Sequence, residues 1–249
     1  MTAFALAVAS LLLAAAPLGA NETVEGAERA IALAAHRYDE AAALEALASA
    51  RALAGHAPEA RVRDLTVHAG LLAAELLRDR FEQTPSKDRT RDKLGDRIDA
   101  IAQESLGMIG SLPESSERHR IEADLLATLI RSDFRAKKYE KRFRAAFGRA
   151  LELDPKNPRA IVSSAKPFLF APPGRGRDLK EGIQLLDRAL ELDPRLETAL
   201  LLRARAREEL GDRTGAKQDW RALLAMNPDC VPARRALENE GQERVGPHG

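Results

Sequence analysis

One helix-stopping phrase occurs three times in this chain: Ala150-Leu151-Glu152-Leu153-Asp154-Pro155, Ala189-Leu190-Glu191-Leu192-Asp193-Pro194 and Leu223-Leu224-Ala225-Met226-Asn227-Pro228. In each, the last turn of an amphipathic helix meets an acidic or amide residue and then a proline, whose ring and missing N–H forbid another turn. The prolines fall 39 residues apart (155 to 194) and then 34 apart (194 to 228). A helix stop recurring at a period near 34 constrains the chain to a stack of helical pairs, each burying its apolar face on the next.

The side chains between the stops agree with that reading. Leu210-Gly211-Asp212 ends one helix with a glycine able to take the left-handed conformation, after which Ala216, Trp220 and Leu223 recur at helical spacing up to Pro228. The same pattern laid back from Pro155 places Ala150, Phe147 and Phe143 on a packing face, with Ile130 and Phe134 of the preceding helix opposite. Laid back from Pro194 it gives Ala189, Leu186 and Gly182. This arrangement of small, aromatic and small residues ahead of a proline resembles the tetratricopeptide repeat, with Leu223 departing from the usual small residue. The resemblance covers roughly Ile121 to Glu240.

The resemblance implies an all-α, right-handed solenoid of antiparallel helix pairs, with a capping helix from Val231 to about Glu240. It places repeats at about 124–157, 158–196 and 197–230, the middle one carrying a loop insertion at 167–177. Pro155, Pro194, Gly211, Ala216, Trp220 and Pro228 are then structural. Arg203 and Asp219 are expected to form an ion pair between the two helices of the last repeat. The groove of such repeats is lined by the first helix of each pair, here Leu125, Thr128, Leu129, Ser132 and Arg135, then Arg159, Val162, Ser163 and Lys166, then Thr198, Leu201, Leu202, Arg205 and Glu208. Repeat proteins that clamp a chaperone's C-terminal carboxylate need Lys and Asn at the fifth and ninth of these positions, and no repeat here supplies that pair.

Pro167 and Pro172-Pro173-Gly174 predict that the middle repeat's first helix ends early and that Phe168 to Arg177 leaves it as a loop. Phe168, Leu169 and Phe170 are too apolar to lie together in water, so the loop either plugs the shortened helix or presents Leu169, Arg175 and Arg177 to a partner. Ahead of the repeats, residues 22–113 read as degenerate helical pairs: helices near Val24–His36 and Ala41–Leu53 about a turn at Arg37-Tyr38-Asp39, then longer helices near Glu59–Phe81 and Leu94–Leu112. Residues 241–249 read as a disordered tail.

The first twenty residues differ in kind. Ala3 to Ala20 carries no charge, with Leu11-Leu12-Leu13-Ala14-Ala15-Ala16 followed by Pro17-Leu18-Gly19-Ala20, the layout of a secretory signal cleaved after Ala20. The alternative is an uncleaved membrane anchor over residues 3–20. A periplasmic or secreted placement follows from the first reading, with no stable membrane span once the signal is cut. Cys230 is the sole cysteine, so no intramolecular disulfide can form.

Charge and chemistry narrow the function. Lys and Arg number 39 against 38 for Asp and Glu, giving a formal charge of +1 and no global field for nucleic acid. The five histidines are scattered without the spacing of a zinc helix, and Gly174-Arg175-Gly176-Arg177 lacks the setting of a phosphate loop. The sequence therefore points to no catalytic, cofactor or metal residues. It predicts a binding scaffold whose concave side takes a protein or peptide in the cell envelope. A second class of reading is an accessory subunit of a transport system that binds a small molecule or lipid in an apolar channel.

Overall fold

The computed structural model describes residues 23–171 and 176–243, with side chains through residue 238. The expected signal or anchor (residues 1–20) and Arg175 lie outside the described residues. The described chain is helical throughout: α1 (Val24–Arg37), α2 (Glu40–Ala52), α3 (Glu59–Gln83), α4 (Thr90–Met108) with a 3-10 turn at Ile109–Ser111, α5 (Ser116–Leu129), α6 (Asp133–Leu153), α7 (Pro158–Phe170), α8 (Leu179–Leu192), α9 (Glu197–Glu209), α10 (Arg213–Met226) and α11 (Val231–Glu243). Residues 241–243 of the expected tail are the end of α11, and residues 244–249 lie outside the described residues.

Capping chemistry sets the starts. The side chains of Thr23, Asp39, Ser115, Ser132, Asn157, Asp178 and Asp212 each accept a backbone N–H from the first turn of the helix that follows. The stops explain the repeated phrase. Asp154, Asp193 and Asn227 are extended C-caps, and their side-chain oxygens accept the N–H of Lys156, Arg195 and Asp229 at 3.0, 3.0 and 3.2 Å. That side-chain turn bends the chain around the proline three times in the same way. Gly211 takes φ +82°, as the α9–α10 turn requires.

Each helix packs on its successor, and the odd-numbered helices α1, α3, α5, α7 and α9 also touch one another in series. No even-numbered helix packs comparably on the next even one. Antiparallel pairs so stacked form an α-solenoid with the odd helices on its inner side and the even ones splayed outside. Fully buried alanines, among them Ala34, Ala43, Ala50, Ala69 and Ala73, allow this close approach, and Leu47, Leu77, Ile98, Ile121 and Leu186 fill the layers. Each such leucine or isoleucine contributes about 1.5–3 kcal/mol by leaving water.

Three sequence expectations are corrected. The helix does not stop at Pro167; α7 continues through Phe170. Proline removes one late hydrogen bond, but the three residues after it remain helical because Leu169 is buried against α8, where Gly182 leaves room for it. The insertion is instead the connection of residues 171–178, eight long against three (210–212) between α9 and α10, and this difference of five accounts for the 39-residue spacing. Second, the repeat at 124–157 is out of register. Since α6 has 21 residues against 14 for α8 and α10, its partner helix α5 begins at Ser116 rather than near 124. Third, Phe134 lies on α6 and is 77% exposed, so it packs against nothing, whereas Phe143 and Ala150 are buried as expected.

Candidate functional site

The inner side of the solenoid is lined with charge. On α5, Asp124 is buried and accepts from Arg120 Nη1 at 2.6 Å, from Lys166 Nζ on α7 at 2.6 Å and from Ser163 Oγ at 2.8 Å. Lys166 also donates to Glu75 on α3 at 2.8 Å, and Arg120 is held by Glu117. Burial disfavours charge on Asp124, yet Lys166 and Arg120 outweigh it and hold its carboxyl below the usual range. Lys166 moves upward for the reciprocal reason, burial being outweighed by Asp124 and Glu75. One carboxylate thereby joins three successive odd helices.

Further contacts close the inner side across the stack. Arg205 on α9 donates to Asp79 on α3 at 2.9 Å, skipping α5 and α7. Asn227 after α10 donates its amide to the His36 carbonyl at the end of α1, at 2.6 Å, and to Glu197 at 2.7 Å. Between these, Tyr38 packs against the C-terminal core that contains Cys230 and Ala233. Tyr38 sits at φ +53°, a conformation that costs a non-glycine residue about 1–2 kcal/mol. Burial first, then the nearby Glu197, Cys230 and Glu75, raise its phenol far above the ordinary value. The turn that ends the first helix thus rests on the last repeat.

This arrangement redistributes the expected groove residues. Leu125, Thr128, Leu129, Val162, Ser163 and Leu201 are buried, and none can meet a partner while the fold is intact. Ser132 caps α6, and Arg135 on α6 pairs with Asp99 on α4, so neither belongs to the inner side. The register error displaced these two: counted from Ser116, the inner positions of α5 fall earlier. Leu169 is buried, and Arg177 donates from Nε to its carbonyl at 3.1 Å and pairs with Glu209, which ties the connection down. Glu208 accepts the indole N–H of Trp220 at 2.7 Å. Arg159 is largely exposed, 3.6 Å from Glu117, and Thr198 is exposed.

The Arg203–Asp219 pair forms as expected, and is bidentate: Nε to Oδ2 at 3.0 Å and Nη2 to Oδ1 at 2.6 Å. Arg207 Nη1 adds a third bond to Asp219 at 2.8 Å, and Asp187 on α8 accepts from Arg203 at 2.6 Å. Sequence reasoning missed Glu75, Asp79 and Tyr38, whose partners lie many helices away, and Asp124, which joins Arg120 on its own helix to Lys166 on α7. Asn227 did carry a signal: it is the one amide where the other two phrases have Asp, and only an amide can donate to a carbonyl.

Among the described residues no cluster of three or more histidines, cysteines or acids is placed to hold a metal ion, and no helix is long and apolar enough to cross a membrane. No protein-family model matches the chain, and no curated protein is similar enough to count as a relative. Among solved structures the chain is similar to YrrB, described as a TPR protein with an unusual peptide-binding site. The match has 13% identity and a TM-score of 0.39, covering 88% of this chain and 94% of that one. A likeness of that degree leaves function to the residues themselves.

Proposed function

We propose that this protein is a non-catalytic, exported scaffold of tetratricopeptide type that binds a protein or peptide partner in the cell envelope. The observation that carries the reading is the inner rail of opposed charges, Glu75, Asp79 and Arg205, partly open to water, backed by the largely buried Lys166 and set on helices that touch in series. Side chains of both signs at helical spacing suit the backbone and termini of an extended peptide, which can exchange these internal pairs for its own. A charged rail favours a peptide over a lipid or other apolar ligand. Arg159 and Thr198, exposed on α7 and α9, extend the same surface.

Selection of displayed random peptides on the purified chain tests this. Enriched peptides are expected to bind at least about tenfold more weakly to Arg205→Glu and Arg159→Glu variants, a loss of about 1.4 kcal/mol. Peptides that bind these variants as tightly as the wild type would remove the inner rail from the account. Export is tested separately by mass measurement: a mature chain beginning at Asn21 supports it, and a membrane-bound chain retaining Met1 favours the anchor.

A further inference from the structure

The outer face of α6 has no role in the solenoid. At 3.6 residues per turn, Phe134, Lys137, Lys138, Lys141 and Ala145 fall within about 100° of the helix circumference. Phe143, Ala146 and Ala150 occupy the opposite side and are buried. All five residues of the outer stripe are exposed, and Gly148 beyond them opens to free space, where an added Cβ would meet nothing within 4 Å. From Phe134 to Gly148 the stripe runs about 21 Å with no acid on it.

The charges on this stripe are uncompensated. Among the described residues no acid lies within ion-pair distance of Lys137, Lys138 or Lys141, although Lys138 rests over the Tyr139 ring at 4.9 Å. The neighbouring bases differ, since Arg142 is matched by Glu122, Arg144 by Glu140 and Arg149 by Glu152. Three ammonium groups without an acidic partner among the described residues surround a phenyl ring that is 77% exposed, an arrangement that adds nothing to packing.

We propose that this stripe docks the protein on a bilayer surface bearing anionic phospholipid headgroups. The lysines answer the negative charge of the headgroups and Phe134 enters the interfacial layer, where an aromatic ring is favoured. Shape selects this occupant over an acidic peptide. As an even-numbered helix α6 lies on the splayed side of the stack, and a convex stripe meets a plane along its length, whereas a peptide needs a groove to desolvate its backbone.

Flotation of the purified full chain with vesicles tests the proposal, using phosphatidylglycerol in phosphatidylcholine at about one part to two against phosphatidylcholine alone. The readout is the ratio between the two vesicle types, to which an apolar N-terminal stretch contributes equally. A clear preference for the anionic vesicles is expected. Replacing Lys137, Lys138 and Lys141 with Ala should reduce it about 100-fold, at about tenfold for each 1.4 kcal/mol, whereas Phe134→Ser should leave the ratio unchanged and weaken binding to the anionic vesicles themselves about tenfold. Circular dichroism checks folding, and if the triple variant does not fold, Lys137→Gln with Lys141→Gln replaces it. A wild-type ratio of one, a ratio unchanged in the folded lysine variants, or anionic-vesicle binding unchanged in Phe134→Ser overturns the proposal. So does equally tight binding to soluble poly-glutamate, which would assign the stripe to an acidic protein.

Discussion

Asp124 and Asp219 are the same device used at two scales. Both are buried carboxylates with side chains only 4% exposed, and each receives two cations. Asp219 draws Arg203 and Arg207 from α9, the helix it pairs with, and through Arg203 it reaches Asp187 on the adjoining α8. Asp124 draws Arg120 from its own helix and Lys166 from α7, and through Lys166 it reaches Glu75 on α3. The first is a rivet among consecutive helices, α8 to α10, and the second a tie across three alternate ones, α3, α5 and α7. A buried cluster of this kind adds little to net stability compared with apolar packing, but removing one member strands the others.

The largest effect is expected at the tie. Asp124→Ala leaves Lys166 and Arg120 in the interior without their shared partner and should cost about 3–5 kcal/mol. Hydrogen exchange should quicken together in α3, α5 and α7. Asp219→Ala should cost about 2–3 kcal/mol, because Arg203 and Arg207 lie nearer to water and Arg203 keeps Asp187. Its exchange should quicken only in α8 to α11. If the two variants loosen the same helices, the distinction between tie and rivet fails.

These two sites also mark what the sequence could reveal. The Arg203–Asp219 pair is legible because its members stand 16 residues apart in one repeat whose turn and stops are regular. Lys166 is legible as an inner position, but its acids are not, since Asp124 and Glu75 stand 42 and 91 residues away. Two extra turns in α6 also shift the count that would have placed Asp124 on the inner side. At Pro167 the local rule against proline in a helix lost to a tertiary one, the burial of Leu169. Helix order, turns and most helix ends were readable from caps and apolar spacing, whereas closure of the α1–α2 turn onto the last repeat depends on contacts up to 191 residues apart.

Asn227→Asp sharpens the comparison at a third locus. The substitution keeps the side-chain turn after α10 but removes two donors and sets a carboxylate against the His36 carbonyl and Glu197. A loss of about 2 kcal/mol is expected in denaturant unfolding, against little change for the opposite swap Asp193→Asn. Equal, small effects at both positions would mean that Asn227 does not hold α1.

The smallest effect is in acid. The Asp124 carboxyl is depressed in the folded state, so its contribution is complete above the unfolded value of about 3.9 and is lost as pH falls through the folded value. The stability gap between the wild type and Asp124→Asn should therefore narrow below about pH 4. A gap that is the same at neutral and acid pH would deny Asp124 its charge.

The central claim is that the solenoid closes, resting the α1–α2 turn on α9 to α11, and Tyr38 reports it directly. The chain has two tyrosines, so in a Tyr139→Phe variant every phenolate signal comes from Tyr38. Alkaline titration followed by absorbance and circular dichroism together gives the answer. Because burial and the acids around it raise the phenol far above its usual value, phenolate should appear only as the helical signal is lost. Phenolate forming near pH 10 with the helices intact would mean that Tyr38 meets water and that the array is open.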